Sequence, residues 1–209
     1  MRAAARIARV VKVLVSVDIE NGYSDDPRAA ADLVLRLVDA GSAGINVEDG
    51  RDPPQMLAAK LEVIRNALAK HGMDIFVNAR TDVVLSSLVA ADLQVAETIR
   101  RGDLYASAGA DGLFVPGLRR PAAIESVVAG LTLPLIVMAW GGLPGATQLG
   151  ELGVKRLSAG SAIPQIAWRA AQDAARSFLR NGDSDILMEN LEVLRRRAEP
   201  VWLVLEVFA

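Results

Sequence analysis

Val15-Ser16-Val17-Asp18-Ile19-Glu20-Asn21-Gly22-Tyr23 is an apolar run that ends in two carboxylates and a glycine turn. That is the pattern of a buried strand delivering acids to its carboxyl end. Successive side chains of a strand point to opposite faces, so Asp18 and Glu20 are expected to share one face, with Ile19 on the other. Two acids side by side at a strand end either repel or share a cation. The arrangement recurs in Gly44-Ile45-Asn46-Val47-Glu48-Asp49, and again in Ile75-Phe76-Val77-Asn78-Ala79-Arg80-Thr81-Asp82, which ends in an arginine and another acid. Parallel α/β proteins place their chemistry where polar residues gather at the carboxyl ends of consecutive strands.

Outward from these runs the chain alternates. Alanine- and arginine-rich residues 2–10 predict a helix, followed by a strand over 11–18. Ser24-Asp25-Asp26-Pro27 is a helix start, Leu33, Val34, Leu37 and Val38 recur at helical spacing, and Ala40-Gly41 ends the helix. Further helices are expected over 55–70, over part of 82–108, and over 121–129 and 143–152, with strands over 44–48, 75–80, 113–117, 135–139 and 155–159. Each helix is then a crossover that returns the chain to the same sheet end, so the strands pair in parallel. A doubly wound sheet would carry a Gly-x-Gly-x-x-Gly turn after its first strand, and Glu20-Asn21-Gly22-Tyr23 is not one. Site residues spread over several strand ends favour a (β/α)8 TIM-type barrel, yet only about six of its eight strands are countable. The expected organisation is a partial barrel over 1–182, two strands short of eight, then a C-terminal helix and apolar tail over 183–209. Residues 163–181 form an amphipathic helix with Ile163, Ile166, Ala170, Ala174 and Phe178 on one side, and the run 201–208 is too apolar to lie in water.

Composition narrows the function classes. The chain of 209 residues is 52% hydrophobic and 23% charged, with a formal charge of −2. It carries no basic footprint for nucleic acid or for an anionic membrane surface. There are no cysteines, which removes disulfides, thiolate metal sites and cysteine nucleophiles and fits a reducing cytoplasm. His71 follows a lysine and precedes a glycine, the setting of a solvated helix cap.

These runs resemble, in order, motifs of the isocitrate lyase and phosphoenolpyruvate mutase superfamily. Asp18 to Tyr23 is similar to its metal strand, Gly44 to Asp49 to the following metal-associated strand, and Asn78-Ala79-Arg80-Thr81-Asp82 to its substrate-binding arginine motif. Gly109-Ala110-Asp111-Gly112, Phe114-Val115-Pro116-Gly117, Val137-Met138-Ala139 and residues 153–158 continue the pattern, which covers roughly residues 3–180. The resemblance implies a barrel in which Asp18, Glu20 and Glu48 hold Mg²⁺ largely through water, with Mn²⁺ as an alternative ion. It implies that Arg80 and Glu48 are catalytic. Arg80 would bind the anionic end of a small 2-oxo acid or phosphonate, with Asn78 and Trp140 also in the substrate pocket. A C–C or P–C bond next to an enolate of pyruvate would break. The resemblance also implies a homo-oligomer formed through the C-terminal helices.

Three departures qualify it. The lyase sequence Lys-Lys-Cys-Gly-His is absent, since Glu48-Asp49 is followed by Gly50-Arg51-Asp52-Pro53-Pro54, so isocitrate or methylisocitrate cleavage is not expected. The lysine- and asparagine-containing gating loop of the mutases is absent too. Two further βα units expected ahead of residue 1 would carry part of the pocket. The competing expectation is therefore a catalytically incomplete or truncated member acting as a structural, oligomeric subunit.

Overall fold

Gly44–Glu48 forms the strand, β2, from which the rest of the sheet takes its register. In the computed structural model, which describes residues 2–182 together with 184, 185, 187 and 188, β1 (Ser16–Asp18) pairs with β2, β2 with β3 (Phe76–Arg80), β3 with β4 (Gly112–Phe114), and β4 with β5 (Leu135–Met138), all in parallel. β6 (Arg156–Ser158) completes a six-stranded sheet in sequential order β1 to β6. Among the described residues seven helices, α1 (Arg2–Ala8), α2 (Pro27–Asp39), α3 (Pro54–Lys70), α4 (Gln94–Ser107), α5 (Pro121–Gly130), α6 (Ala146–Glu151) and α7 (Ala162–Asn181), alternate with them. The architecture is a curled, partial (β/α)8-type barrel of six parallel strands, as the sequence pattern predicts.

Helix ends follow local chemistry. The Asp26 side chain accepts a hydrogen bond from Arg28 N at 2.9 Å and Pro27 occupies the first turn, so α2 starts where its free N–H groups are capped. Its buried face is Ala30, Ala31, Val34 and Leu37, at helical spacing, and it packs on α3, which buries Leu57, Leu61, Ile64 and Leu68. These side chains meet Ile45, Val47, Val77, Ala79, Leu113, Val115, Leu135 and Val137 on the outer face of the sheet, all fully buried. Each buried Val, Leu or Ile side chain among them contributes about 1.5–3 kcal/mol by leaving water. The Gly109-Ala110-Asp111-Gly112 motif serves this scaffold. Asp111 pairs with Arg65 of α3 and accepts from Val77 N at 2.7 Å. Gly109 at φ +99° leaves room for Arg65, whose Cγ would lie 2.6 Å from an added Cβ.

The alternate residues face inward and form rows across the sheet. Ser16, Gly44 and Phe76 are in register, then Asp18, Asn46, Asn78 and Gly112, then Glu48, Arg80, Phe114 and Ile136. Small and polar residues therefore stand where a filled barrel stacks bulky branched ones.

Two expectations need correction. The first strand was expected over 11–18, but only Ser16–Asp18 is a strand, with Val10, Val11, Val13 and Leu14 exposed. Apolar content does not make a strand without a partner: β2 begins at Gly44, opposite Ser16, and offers residues 10–14 no ladder. Glu20 was expected to share a strand face with Asp18, but β1 ends at Asp18 and Glu20 has φ +48°, so strand alternation no longer applies to it. The helix expected over 183–197 lies almost wholly outside the described residues, and the apolar run 201–208 lies outside them entirely. The chain divides into one unit ending at Leu157 and another beginning at Ser158. In the second, α7 ends at Gly182, which is left-handed at φ +67°, and its side chains Ile166, Trp168 and Leu179 are exposed.

Candidate functional site

The site is built at the carboxyl ends of β1, β2 and β3. Glu48 and Arg80 are register partners on the inward face, and Arg80 Nη1 donates to Glu48 Oε2 at 2.9 Å. Arg80 also grips Asp82 with two parallel bonds, Nε to Oδ1 at 2.8 Å and Nη2 to Oδ2 at 3.1 Å. Its guanidinium carbon lies 5.9 Å from the centre of the Phe114 ring, the next residue along the same row. The arginine is thus held from three sides in one orientation.

Behind this row, on the opposite face, Asp49 is 2% exposed and fully engaged. Its Oδ1 accepts from Asp82 N at 2.9 Å, and its Oδ2 accepts from Thr81 Oγ1 at 2.7 Å, Arg101 Nη1 at 2.7 Å and the Tyr105 hydroxyl at 2.5 Å. A buried carboxylate costs several kcal/mol unless paired and hydrogen-bonded, and here both oxygens are satisfied. Arg101 continues to Glu97 at 2.8 Å, and Glu97 holds Arg100 through two bonds of 2.7 Å. The Arg100 and Arg101 guanidiniums, opposed by slight burial, hold the Glu97 carboxyl down at about 2. Burial first, then the Asp49 charge, pushes the Tyr105 phenol far above its ordinary value, so it remains a donor.

The β1 end is made differently. After Asp18 the chain turns through Glu20 at φ +48°, Gly22 at φ +89° and Tyr23 at φ +55°. Left-handed backbone is unfavourable for residues with a side chain and persists only where its surroundings hold it. Here Glu20 N donates to Asp18 Oδ1 at 2.9 Å, Glu48 N donates to Glu20 O at 2.8 Å, and the buried Lys60 Nζ donates to Asn21 O at 2.8 Å. Gly22 faces Ala30, whose Cβ would sit 3.0 Å from an added Cβ. Lys60, on α3, ties the turn to the core and escaped the sequence reading.

The charges are unbalanced. Partial burial raises the Glu48 carboxyl above its ordinary value; Arg80 opposes this, but Asp82, Asp18 and Glu20 add to it. The Tyr23 phenol is raised by slight burial and then by Glu20, Asp18 and Glu48. Four carboxylates thus share a neighbourhood with Arg80. Among the described residues no three His, Cys, Asp or Glu side chains converge closely enough to hold a metal ion together. Uncompensated hard oxygen donors at such spacing fit an ion that keeps most of its own water and takes one or two carboxylates, which is how Mg²⁺ is usually bound.

Asn78 lies one row below Arg80, fully buried, and donates through Nδ2 to Asn46 Oδ1 at 2.8 Å. Its own Oδ1 has no partner among the described residues. Trp140, half exposed, lies on the wall of a cavity of about 560 Å³ with Leu85, Leu118, Arg119 and Arg120, between the loops that follow β3, β4 and β5. His71 caps α3, its Nδ1 2.8 Å from Ala67 O. No described helix is long and apolar enough to cross a membrane.

Sequence reasoning missed Asp82 as a partner of Arg80, and Arg101 and Tyr105 altogether. A usable signal existed, because Thr98, Arg101 and Tyr105 recur at helical spacing and make a polar stripe on the face of α4 that is buried.

Comparison with known proteins places this geometry. A solved structure from Burkholderia cenocepacia, assigned as a phosphonomutase, superposes with a TM-score of 0.78 at 34% identity, over 84% of this chain and 76% of that one. An oxaloacetate decarboxylase of Ectopseudomonas mendocina is 33% identical over 178 residues, 83% of this chain and 61% of the decarboxylase. An uncharacterized protein of Mycobacterium tuberculosis is 37% identical over 181 residues, 84% of this chain and 65% of that protein. The chain thus spans less than two thirds of the length of these two relatives. The phosphoenolpyruvate phosphomutase family model matches residues 1–179, and with these likenesses it establishes that the chain belongs to that family, within the PEP mutase/isocitrate lyase superfamily.

Proposed function

We propose that this chain carries the metal-and-arginine half of a site for Mg²⁺-dependent lyase or mutase chemistry on a small 2-oxo acid or phosphonate. The observation that supports it most is the row Glu48, Arg80, Phe114, with Asp82 beside it and the Asp18–Glu20 turn one strand over. Asp18, Glu20 and Glu48 would hold the ion largely through its own water, Mn²⁺ serving in place of Mg²⁺. When bound, the ion supplies positive charge that stabilises the oxygen on which negative charge develops as a C–C or P–C bond breaks.

The chain's own residues do the rest. Arg80 presents a planar fork of donors to the substrate's anionic end, and the Phe114 ring behind it keeps that fork from swinging. Its bonds to Glu48 and Asp82 hold that orientation, and Glu48, which pairs with Arg80 at 2.9 Å, would also be one of the groups facing the ion. Asn78, fully buried with its Oδ1 unpartnered among the described residues, would form the floor of the site beneath the substrate. Trp140 and the cavity beside it lie along the rim, where a substituent on the substrate would pass. The relatives' decarboxylase and phosphonomutase assignments fit an oxaloacetate-like or phosphonopyruvate-like substrate.

Titration calorimetry with Mn²⁺ and Mg²⁺ tests the site: the wild-type chain is expected to bind one divalent ion and Asp18→Ala to lose it. Absence of binding to the wild type overturns the metal assignment. Pyruvate release from oxaloacetate is the accompanying activity measurement, and robust cleavage of isocitrate would sink the substrate class. A second reading, a non-catalytic subunit, draws on Arg80 itself, since its Nε, Nη1 and Nη2 are already engaged by Asp82 and Glu48. Ion binding without turnover would favour it.

A further inference from the structure

We infer that Asp49 is a positioning residue, a buried anchor through which Thr81, Arg101 and Tyr105 hold Glu48, Arg80 and Asp82 in one arrangement. Side chains alternate along each strand end, so the residues of the site and those of the anchor interleave. Glu48 faces the site and Asp49 the interior; Arg80 faces the site, Thr81 the interior, and Asp82 closes back onto Arg80. Asp49 crosses between the two strand ends on the hidden side, taking Thr81 Oγ1 at 2.7 Å on one oxygen and Asp82 N at 2.9 Å on the other. Asp49 N in turn donates to Arg80 O at 3.1 Å. A slip of either strand end by a fraction of an ångström would therefore have to break several short bonds at once.

The third contact makes the anchor rigid. α4 drives Arg101 and Tyr105, one helical turn apart on one face, onto the same Asp49 Oδ2, at 2.7 and 2.5 Å. Arg101 is itself fixed by Glu97 at 2.8 Å. Both donors are held protonated, Tyr105 by burial and the Asp49 charge, and Arg101, although burial works against it, by its bonds to Glu97 and Asp49. Asp49 contacts neither the Glu48 carboxylate nor the Arg80 guanidinium among the hydrogen bonds and ion pairs of the described residues; it acts on them through the backbone and through Asp82. This role deepens the proposed function and rests on its choice of Glu48 and Arg80 as site groups, but the geometry that it fixes is observable without turnover.

The test uses two readouts on the full chain: the Nε–Hε resonance of Arg80 by nuclear magnetic resonance, and the dissociation constant for Mn²⁺ by calorimetry. Asp49→Asn keeps the shape but turns one acceptor into a donor opposite the Arg101 guanidinium. It is expected to shift or broaden the Arg80 resonance and to weaken Mn²⁺ about 10- to 100-fold, as loss of groups that orient metal ligands does. Asp49→Asn/Arg101→Met removes the stranded cation and is expected to recover the melting temperature but neither readout. Thr81→Val, which deletes one bond without changing charge, covers the case in which Asp49→Asn does not fold and is expected to move both readouts in the same direction by less. Leu61→Ala, a core change with its own loss of melting temperature, is expected to leave both where they are.

If folded Asp49→Asn or Thr81→Val leaves the Arg80 resonance and the Mn²⁺ affinity unchanged, or if Leu61→Ala moves them equally, the anchor role is overturned. If the wild type binds no Mn²⁺ while Asp49→Asn still displaces the Arg80 resonance, the anchor stands and the metal reading falls.

Discussion

The chain delivers acids to its site in two ways, and they differ in what surrounds them. At the ends of β2 and β3, Asp49 and Asp82 are buried at 2% and 6% exposure, and Arg80, Arg101, Thr81 and Tyr105 supply donors for their oxygens. At the end of β1, Asp18 and Glu20 are exposed, and no arginine or lysine pairs with either among the ion pairs of the described residues. Burial follows pairing: a carboxylate enters the interior where donors compensate it and stays in water where they do not. The paired end is the rigid half of the site and the unpaired end is its open, cation-seeking half.

The sharpest way to break this comparison is to remove one partner at each end. Arg101→Met strands the Asp49 carboxylate in the interior and is expected to cost about 3–5 kcal/mol, as broken buried pairs do. Asp18→Ala removes an exposed acid among like charges together with its bond from Glu20 N, and is expected to cost no more than about 1 kcal/mol. Urea denaturation midpoints measure both. Equal losses would mean that the two ends are not differently built.

The acid limb of the stability profile sharpens the same contrast at smaller scale. The folded-state Glu97 carboxyl lies at about 2, below its ordinary value of 4.5, so its contribution is present above 4.5 and is lost as pH falls toward 2. Thermal melts between those limits are expected to show a fall that Glu97→Gln reduces. The same descent in Glu97→Gln as in the wild type would show that the Glu97–Arg100–Arg101 chain adds nothing in acid.

The sheet was legible because β2, β3 and β5 alternate with helices whose apolar spacing is regular, and because the Asp26-Pro27 start is chemically specific. The inward row Glu48–Arg80 was legible too, since two acid- or arginine-ended runs must lie side by side in a parallel sheet. Glu20 was not: a residue other than glycine at φ +48° carries no local signature, and the turn it opens is tied down at Asn21 O by Lys60, 39 residues further along the sequence. Arg101 and Tyr105 were legible as a polar stripe at helical spacing, but such a stripe is told from a solvated helix face only once its partner Asp49 is in place. Val10 to Leu14 misled in the other direction, their apolar character suggesting a strand that pairing does not support.

The smallest expected effect probes the open end. Tyr23 is left-handed at φ +55° and mostly exposed, so its side chain buries little while its backbone occupies a region that costs a residue with a Cβ about 1–2 kcal/mol. Tyr23→Gly removes that cost but gives the unfolded chain more freedom, a loss of roughly 0.5–1 kcal/mol. The difference leaves a net stabilisation of about 0–1.5 kcal/mol. Such a gain at a residue beside the site would show that the turn holds stored strain, which the Lys60 bond to Asn21 and the Glu48 bond to Glu20 keep in place. A clear destabilisation in the denaturation midpoint would instead mean that the Tyr23 ring itself braces the acids, and the β1 end would then be a packed structure and not an open one.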